Sequence, residues 1–158
     1  MPQGANVKTA ELTGAELDWA VTVALGKPVY TRHTFIKARA AFIEKHDGYV
    51  NPPGRVERHL QTQTDDPIIA DLETGATRTL PNYSSDWAQG GPIIDLERIS
   101  IRTYAAPGHN WVAFIDCGGS SISGAKARQV GSTALVAAMR CFVASKTGDT
   151  VELPKELA

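Results

Sequence analysis

The stretch Cys117-Gly118-Gly119-Ser120-Ser121-Ile122-Ser123-Gly124-Ala125-Lys126 combines glycines, hydroxyls and a lysine, the composition of a loop that cradles phosphate. It is not a nucleotide loop of the Walker type. Ala125 separates Gly124 from Lys126, and Ala127 stands where a Ser or Thr would hold magnesium. It also lacks the G-x-S-x-G turn of serine hydrolases. A mobile connector is the plainer reading. Asp116 and Cys117 place a carboxylate next to a thiol, but a nucleophilic cysteine needs a base to form thiolate. His109 is on the same strand, roughly 25 Å away at about 3.3 Å per extended residue. Neither reading assembles a catalytic set.

Three of the four histidines, His33, His46 and His59, fall within residues 31–60, with no i, i+4 pair among them. Cys117 and Cys141 have no partner Cys or His at ligand spacing. Neither a metal site nor a cofactor is expected. Arg140 lies mid-helix between Ala137 and Ala144. It reads either as a surface arginine paired with a carboxylate such as Asp86, or as an anion-binding group.

The elements that would position these residues follow from the hydrophobic pattern. Residues 1–10 read as a flexible tail. Thr13 and Glu16 form a capping-box pattern, Leu12 and Leu17 a hydrophobic staple, and a helix runs over 14–25 to Gly26 and Pro28. A short strand from Val29 leads into a helix from Phe35 to about Lys45, with Thr34 as its cap and Gly48 as its stop. Residues 50–83 are a long polar excursion, opened by Asn51-Pro52-Pro53-Gly54, with one apolar island at residues 67–70. Asp86 offers a cap before Trp87, and Gly90-Gly91-Pro92 predicts a broken helix over 85–98. Residues 99–104 and 111–117 read as a hairpin turning at Pro107-Gly108, with apolar residues on both faces of the second strand. A Gly/Ser-rich loop covers 118–129. Thr133 caps a final helix over 134–146, whose Ala137, Cys141 and Ala144 could admit a close neighbour, and residues 151–154 add a short edge strand. The expected fold class is α+β: a small, mostly antiparallel sheet packed with helices, α-β-α sandwich-like, as a single domain over 11–157.

Charge is balanced, with 16 Lys and Arg against 17 Asp and Glu, so the whole chain has no basic nucleic-acid footprint. Its distribution is uneven. Residues 31–60 carry Arg32, Lys37, Arg39, Lys45, Arg55 and Arg58 against three acids, while residues 61–100 carry seven acids against two bases. Arg32, Lys37, Arg39, Arg55 and Arg58 are thus a candidate basic patch. The start MPQGANVKTAEL has no apolar signal region, and no apolar run is long enough to span a bilayer. A cytoplasmic, reducing setting with free thiols is expected.

Three segments carry a family resemblance. They are ELTGAELDWAVTVALG (11–26), YSSDWAQGGPIIDLERIS (83–100) and GSTALVAAMRCFVASKTGDTVELPKEL (131–157). Together they resemble the NinX-like family of bacteriophage and prophage proteins, a family of unknown function. Its members are similar in showing L-x-G-x-x-L-D-x-A-V, then S-x-D-W-x-x-G-G-P-I-I, then A-A-M-R-C-[YF]-V-A-S-K-x-G, in this order. The resemblance implies a phage or prophage origin and action in the bacterial host cytoplasm. It implies no catalytic residues. Three functions follow as expectations. The first is a non-enzymatic accessory or protein-interaction module that binds a host or phage protein, with Asp86, Trp87, Gly90, Gly91 and Arg140 as its candidate surface. The second is a nucleic-acid-associated protein using the basic segment 31–60. The third is a small enzyme or binder of a phosphorylated small molecule, using residues 118–126 and Arg140.

Overall fold

The computed structural model describes residues 4–46, 67–73, 75–115, 126–155 and 157, the side chain of Lys126 excepted. Arg55, Arg58, His59, Gly48, Asp116, Cys117 and residues 118–125 lie outside them. The fold is α+β. Among the described residues the strands form three small antiparallel sheets, where the sequence pattern predicts one. The chain falls into two compact units, Met1–Leu25 with Pro81–Ala158, and Gly26–Leu80.

In the first unit, β1 (Ala5–Lys8) pairs with β8 (Thr150–Leu153). This corrects the expectation of a loose tail. Too few apolar residues mark β1 in sequence, because its stability comes from the ladder and from Thr9. That fully buried side chain donates to the Gly148 carbonyl at 2.8 Å, and its amide donates to that of Asp149.

Helix α1 (Gly14–Ala24) occupies the predicted span, and Leu12 and Leu17 are both fully buried beside it. The capping box does not form: Thr13 makes no side-chain cap bond. Gly14 sits at φ +50°, a left-handed backbone that turns the chain before Thr13 can reach the first-turn amides.

Helix α3 (Trp87–Glu97) is continuous, which corrects the broken helix. Pro92 removes one bond to residue 88, but both residues are exposed, so water satisfies the carbonyl left over. Gly90 is required for a different reason than a break. A Cβ there would come within 2.4 Å of the Tyr83 carbonyl and 2.7 Å of Leu135 Cδ2.

Strands β5 (Ile99–Ala106), β6 (His109–Ile115) and β7 (Lys126–Gly131) form the main sheet, in that order. Pro107 and Gly108 turn the first hairpin, with Gly108 at φ +76°. β7 takes over part of the span read as loop. Its short, mixed sequence KARQVG becomes a strand because the β6 edge pairs with it.

Helix α4 (Ala134–Thr147) is the centre of this unit. Thr133 caps it at 3.1 Å through the Val136 amide, and residues 137–143 are all buried. Its small-residue side admits β7 closely: a Cβ on Gly131 would lie 2.5 Å from the Ala137 amide. The core joins Leu12, Leu17 and Val21 to Ala113, Met139, Phe142, Val143 and Leu153.

In the second unit, β2 (Val29–Tyr30), β3 (Ile68–Ala70) and β4 (Thr77–Thr79) form an antiparallel sheet with α2 (Arg32–Lys45). The polar excursion thus contains two strands. Thr31, not Thr34, is the cap of α2. The two threonines bond each other's amides reciprocally, so the helix starts three residues earlier than expected. Phe35, Ile68 and Ala70 are its small core.

Candidate functional site

The segment just before α3 is tied to α1 by a buried carboxylate. Asp18 on α1 accepts the Ser84 amide at 2.7 Å, and the Ser84 hydroxyl adds a second bond. Burial raises the Asp18 carboxyl above its ordinary value, while both Ser84 bonds pull it the other way. Two residues on, Asp86 caps α3 by accepting from the Ala88 amide at 2.9 Å and from Gln89 Nε2 at 2.8 Å. Gln89 in turn accepts the Asn82 amide at 2.7 Å. This network fixes the first residue of α3, Trp87, while leaving its indole 57% exposed.

Trp87 opens onto a cleft of about 630 Å³. The first residues of three helices line it: Gly14 of α1, Trp87 of α3 and Ala134 of α4. Trp111, Leu135 and Val136 supply apolar wall, and Ser84, Ser85 and Thr133 supply hydroxyls. No ionisable side chain is among the described lining residues, and the Ser84 hydroxyl is engaged by the Asp18 carboxylate. The arrangement suits binding: aromatic and aliphatic surface with a few polar groups at the rim. A second hollow of about 330 Å³ lies in the other unit, beside Pro28, Ile69, Asp71 and Arg78.

The candidate surface residues separate clearly. Trp87 lines the cleft, whereas Asp86 is not among its described lining residues and serves as the cap of α3. Gly90 is buried and architectural, whereas Gly91 is half-buried and a Cβ there would meet only Trp87 Cε3 at 4.0 Å. Arg140 is 5% exposed and leaves the candidate surface altogether. Its Nε donates to the Leu12 carbonyl at 2.9 Å and its Nη1 to that of Val130 at 2.8 Å. Through these two carbonyls it binds the chain to itself. Burial lowers its pKa from the usual arginine value.

The basic patch is also redrawn. Arg39 is 2% exposed, and its guanidinium donates to the carbonyls of Leu72 and of Glu73, the latter at 3.2 Å. Arg32 is half-buried and Lys37 exposed on α2. His33 is exposed, and His46 stacks on Phe42 with ring centroids 4.2 Å apart. Among the described residues no group of three His, Cys, Asp or Glu could hold a metal ion. Cys141 is fully buried, and burial pushes its thiol up to about 12.

Sequence reasoning missed the partners of Trp87. Trp111 stands in the sequence as one apolar residue of the second hairpin strand and Thr133 as the cap of the last helix, and nothing local marks them or Leu135 as neighbours of Trp87. Three segments distant in sequence meet here only through the fold, and an N-terminal helix position for an exposed Trp was the single local signal.

No curated protein matches this chain. Among the described residues no helix is long and apolar enough to cross a membrane. The family model described as bacteriophage P22 NinX matches residues 8–146, and by that match the protein belongs to the phage NinX family.

Proposed function

We propose that this phage-encoded protein is a non-enzymatic accessory module that captures a host or phage protein in the cleft between Trp87 and Trp111, inside the infected bacterium. The observation that carries this reading is the exposed Trp87 indole, fixed in place by the Asp86 and Gln89 bonds rather than buried. A large exposed aromatic on a rigid support is the typical anchor of an interface. Covering the free part of Trp87, roughly 140 Å² at about 25 cal/mol per Å², is worth at most about 3.5 kcal/mol, and after the cost of ordering the partner about a hundredfold in affinity remains. The opening amides of α1 have no side-chain cap, so a carboxylate on the partner's apolar segment would find donors beside Gly14.

The test is affinity capture by the tagged full chain from lysates of infected and uninfected host, washed at high salt, with Trp87→Ala in parallel. A protein retained at high salt by the native chain and lost from the variant supports the reading. Equal retention by both removes the cleft from it. Nucleic acid held only at low salt would favour the charge-based reading of residues 31–60 instead.

A further inference from the structure

The strands β5, β6 and β7 read ISIRTYAA, HNWVAFI and KARQVG, and contain no Asp or Glu in a chain that has 17. They do contain Arg102, His109, Lys126 and Arg128. The face packed on α4 presents Ile99 and Ala113 to the core, with Ile101, Trp111 and Ile115 beside them. Strand alternation therefore turns Arg102 to the opposite face, with Val112 and Phe114, both 5% exposed, across the ladder; Tyr104 lies in the register shift between Thr103 and Ala106 and is placed by its contact with Arg128. Two contacts mark this placement. The Arg102 guanidinium lies over the Phe114 ring at 5.4 Å, and that of Arg128 lies over Tyr104 at 5.3 Å. Arg102, Arg128 and Tyr104 are exposed. Among the described residues neither arginine pairs with a carboxylate.

We propose that this outer face of the β5-β6-β7 sheet is a binding surface for single-stranded nucleic acid, separate from the Trp87 cleft. Arg102 and Arg128 hold phosphates, and Tyr104 stacks a base. Guanidinium groups that have no carboxylate partner among the described residues attract a polyanion. The rings beneath and beside them add the second half of the chemistry. Phe114 is itself only 5% exposed beneath Arg102, so the outer plane of that guanidinium and the exposed Tyr104 ring are the π faces on which unpaired bases can stack. Bases inside a duplex are already stacked and cannot. An acidic peptide would use the charges but not the rings.

The experiment is fluorescence anisotropy of a labelled oligothymidine of 12 nucleotides and a blunt duplex with the full chain, at 50 and 200 mM salt. Two phosphate contacts on a single strand predict a loss of about sevenfold over that salt range. Arg102→Ala with Arg128→Ala should abolish this salt dependence. Tyr104→Ala should weaken binding about fivefold or more at fixed salt, and Tyr104→Phe should retain it. Should Tyr104→Ala lose its circular dichroism, Tyr104→Leu makes the same comparison without the ring. Absence of binding at 50 mM salt, duplex bound as well as single strand, or indifference to both sets of variants overturns the proposal. Equal displacement by a polyglutamate peptide of matched charge overturns it in favour of an acidic protein partner.

Discussion

Replacing Arg140 by Met keeps the unbranched stem of the side chain as far as Nε and removes its two hydrogen bonds. Those bonds run to the Leu12 carbonyl at 2.9 Å and the Val130 carbonyl at 2.8 Å. One guanidinium therefore ties α4 to the entry of α1 and to the end of β7. A hydrogen bond from a charged donor contributes about 1.5–3 kcal/mol, so two are worth about 3–6 kcal/mol. Releasing the burial cost of the charge, which lowers the Arg140 pKa, returns part of this. The two carbonyls left behind cost a further amount if water cannot reach them. The net loss expected for Arg140→Met is about 2–4 kcal/mol, measured by urea unfolding with circular dichroism as readout. Arg140→Lys keeps the charge but satisfies one carbonyl at most, and falls between the two. A loss below about 1 kcal/mol for Arg140→Met would refute the bridging role and return the residue to the candidate surface.

Four further outcomes follow from the same geometry. Gly90→Ala places a Cβ 2.4 Å from the Tyr83 carbonyl, so it costs at least about 2 kcal/mol in urea unfolding, although Ala favours a helix over Gly by about 1 kcal/mol. Asp18 has a folded-state pKa raised above 3.8, so its contribution is full below that pH and is lost as pH rises through the folded value. Asp18→Asn, which cannot ionise, should gain on the native chain with rising pH, by about 1.4 kcal/mol per unit of the shift; a constant gap between urea midpoints from pH 3 to 8 would count against this. With Cys117 replaced by Ser, Cys141 should react with a disulfide reagent at pH 8 only after unfolding, because its thiol is raised to about 12 and fully buried. Trp87→Ala should cost no more than about 2.5 kcal/mol in urea unfolding, the worth of the roughly 100 Å² that a 57% exposed Trp keeps covered, at about 25 cal/mol per Å².

Much of the helical framework was legible in the amino-acid pattern. α1, α3 and α4 stand close to their predicted spans because caps, stops and buried stripes are local signals. The errors have physical causes. Gly14 reads as an ordinary helix residue, but its positive φ defeats the Thr13 cap. Pro92 reads as a break, but its lost bond faces water. β1, β4 and β7 are short and polar, and exist through pairing with β8, β3 and β6, which no local pattern encodes. Arg39 and Arg140 read as surface charges because sequence shows an ionic group and hides the carbonyls waiting for it. Trp87 was recognised as a candidate contact residue, but its cleft was not, since Gly14, Trp111 and Leu135 reach it from three separate elements.

The most direct test of the cleft compares capture of the retained partner by the native chain, Trp87→Ala and Leu96→Ala. Leu96 lies on the same helix and is 76% exposed, but does not line the cleft among the described residues. It therefore controls for general apolar adhesion. Loss of capture with Trp87→Ala, near a hundredfold in affinity, together with native capture by Leu96→Ala, is the result predicted. Equal loss in both variants, or no loss in either, would contradict the assignment of the cleft as the site of protein binding.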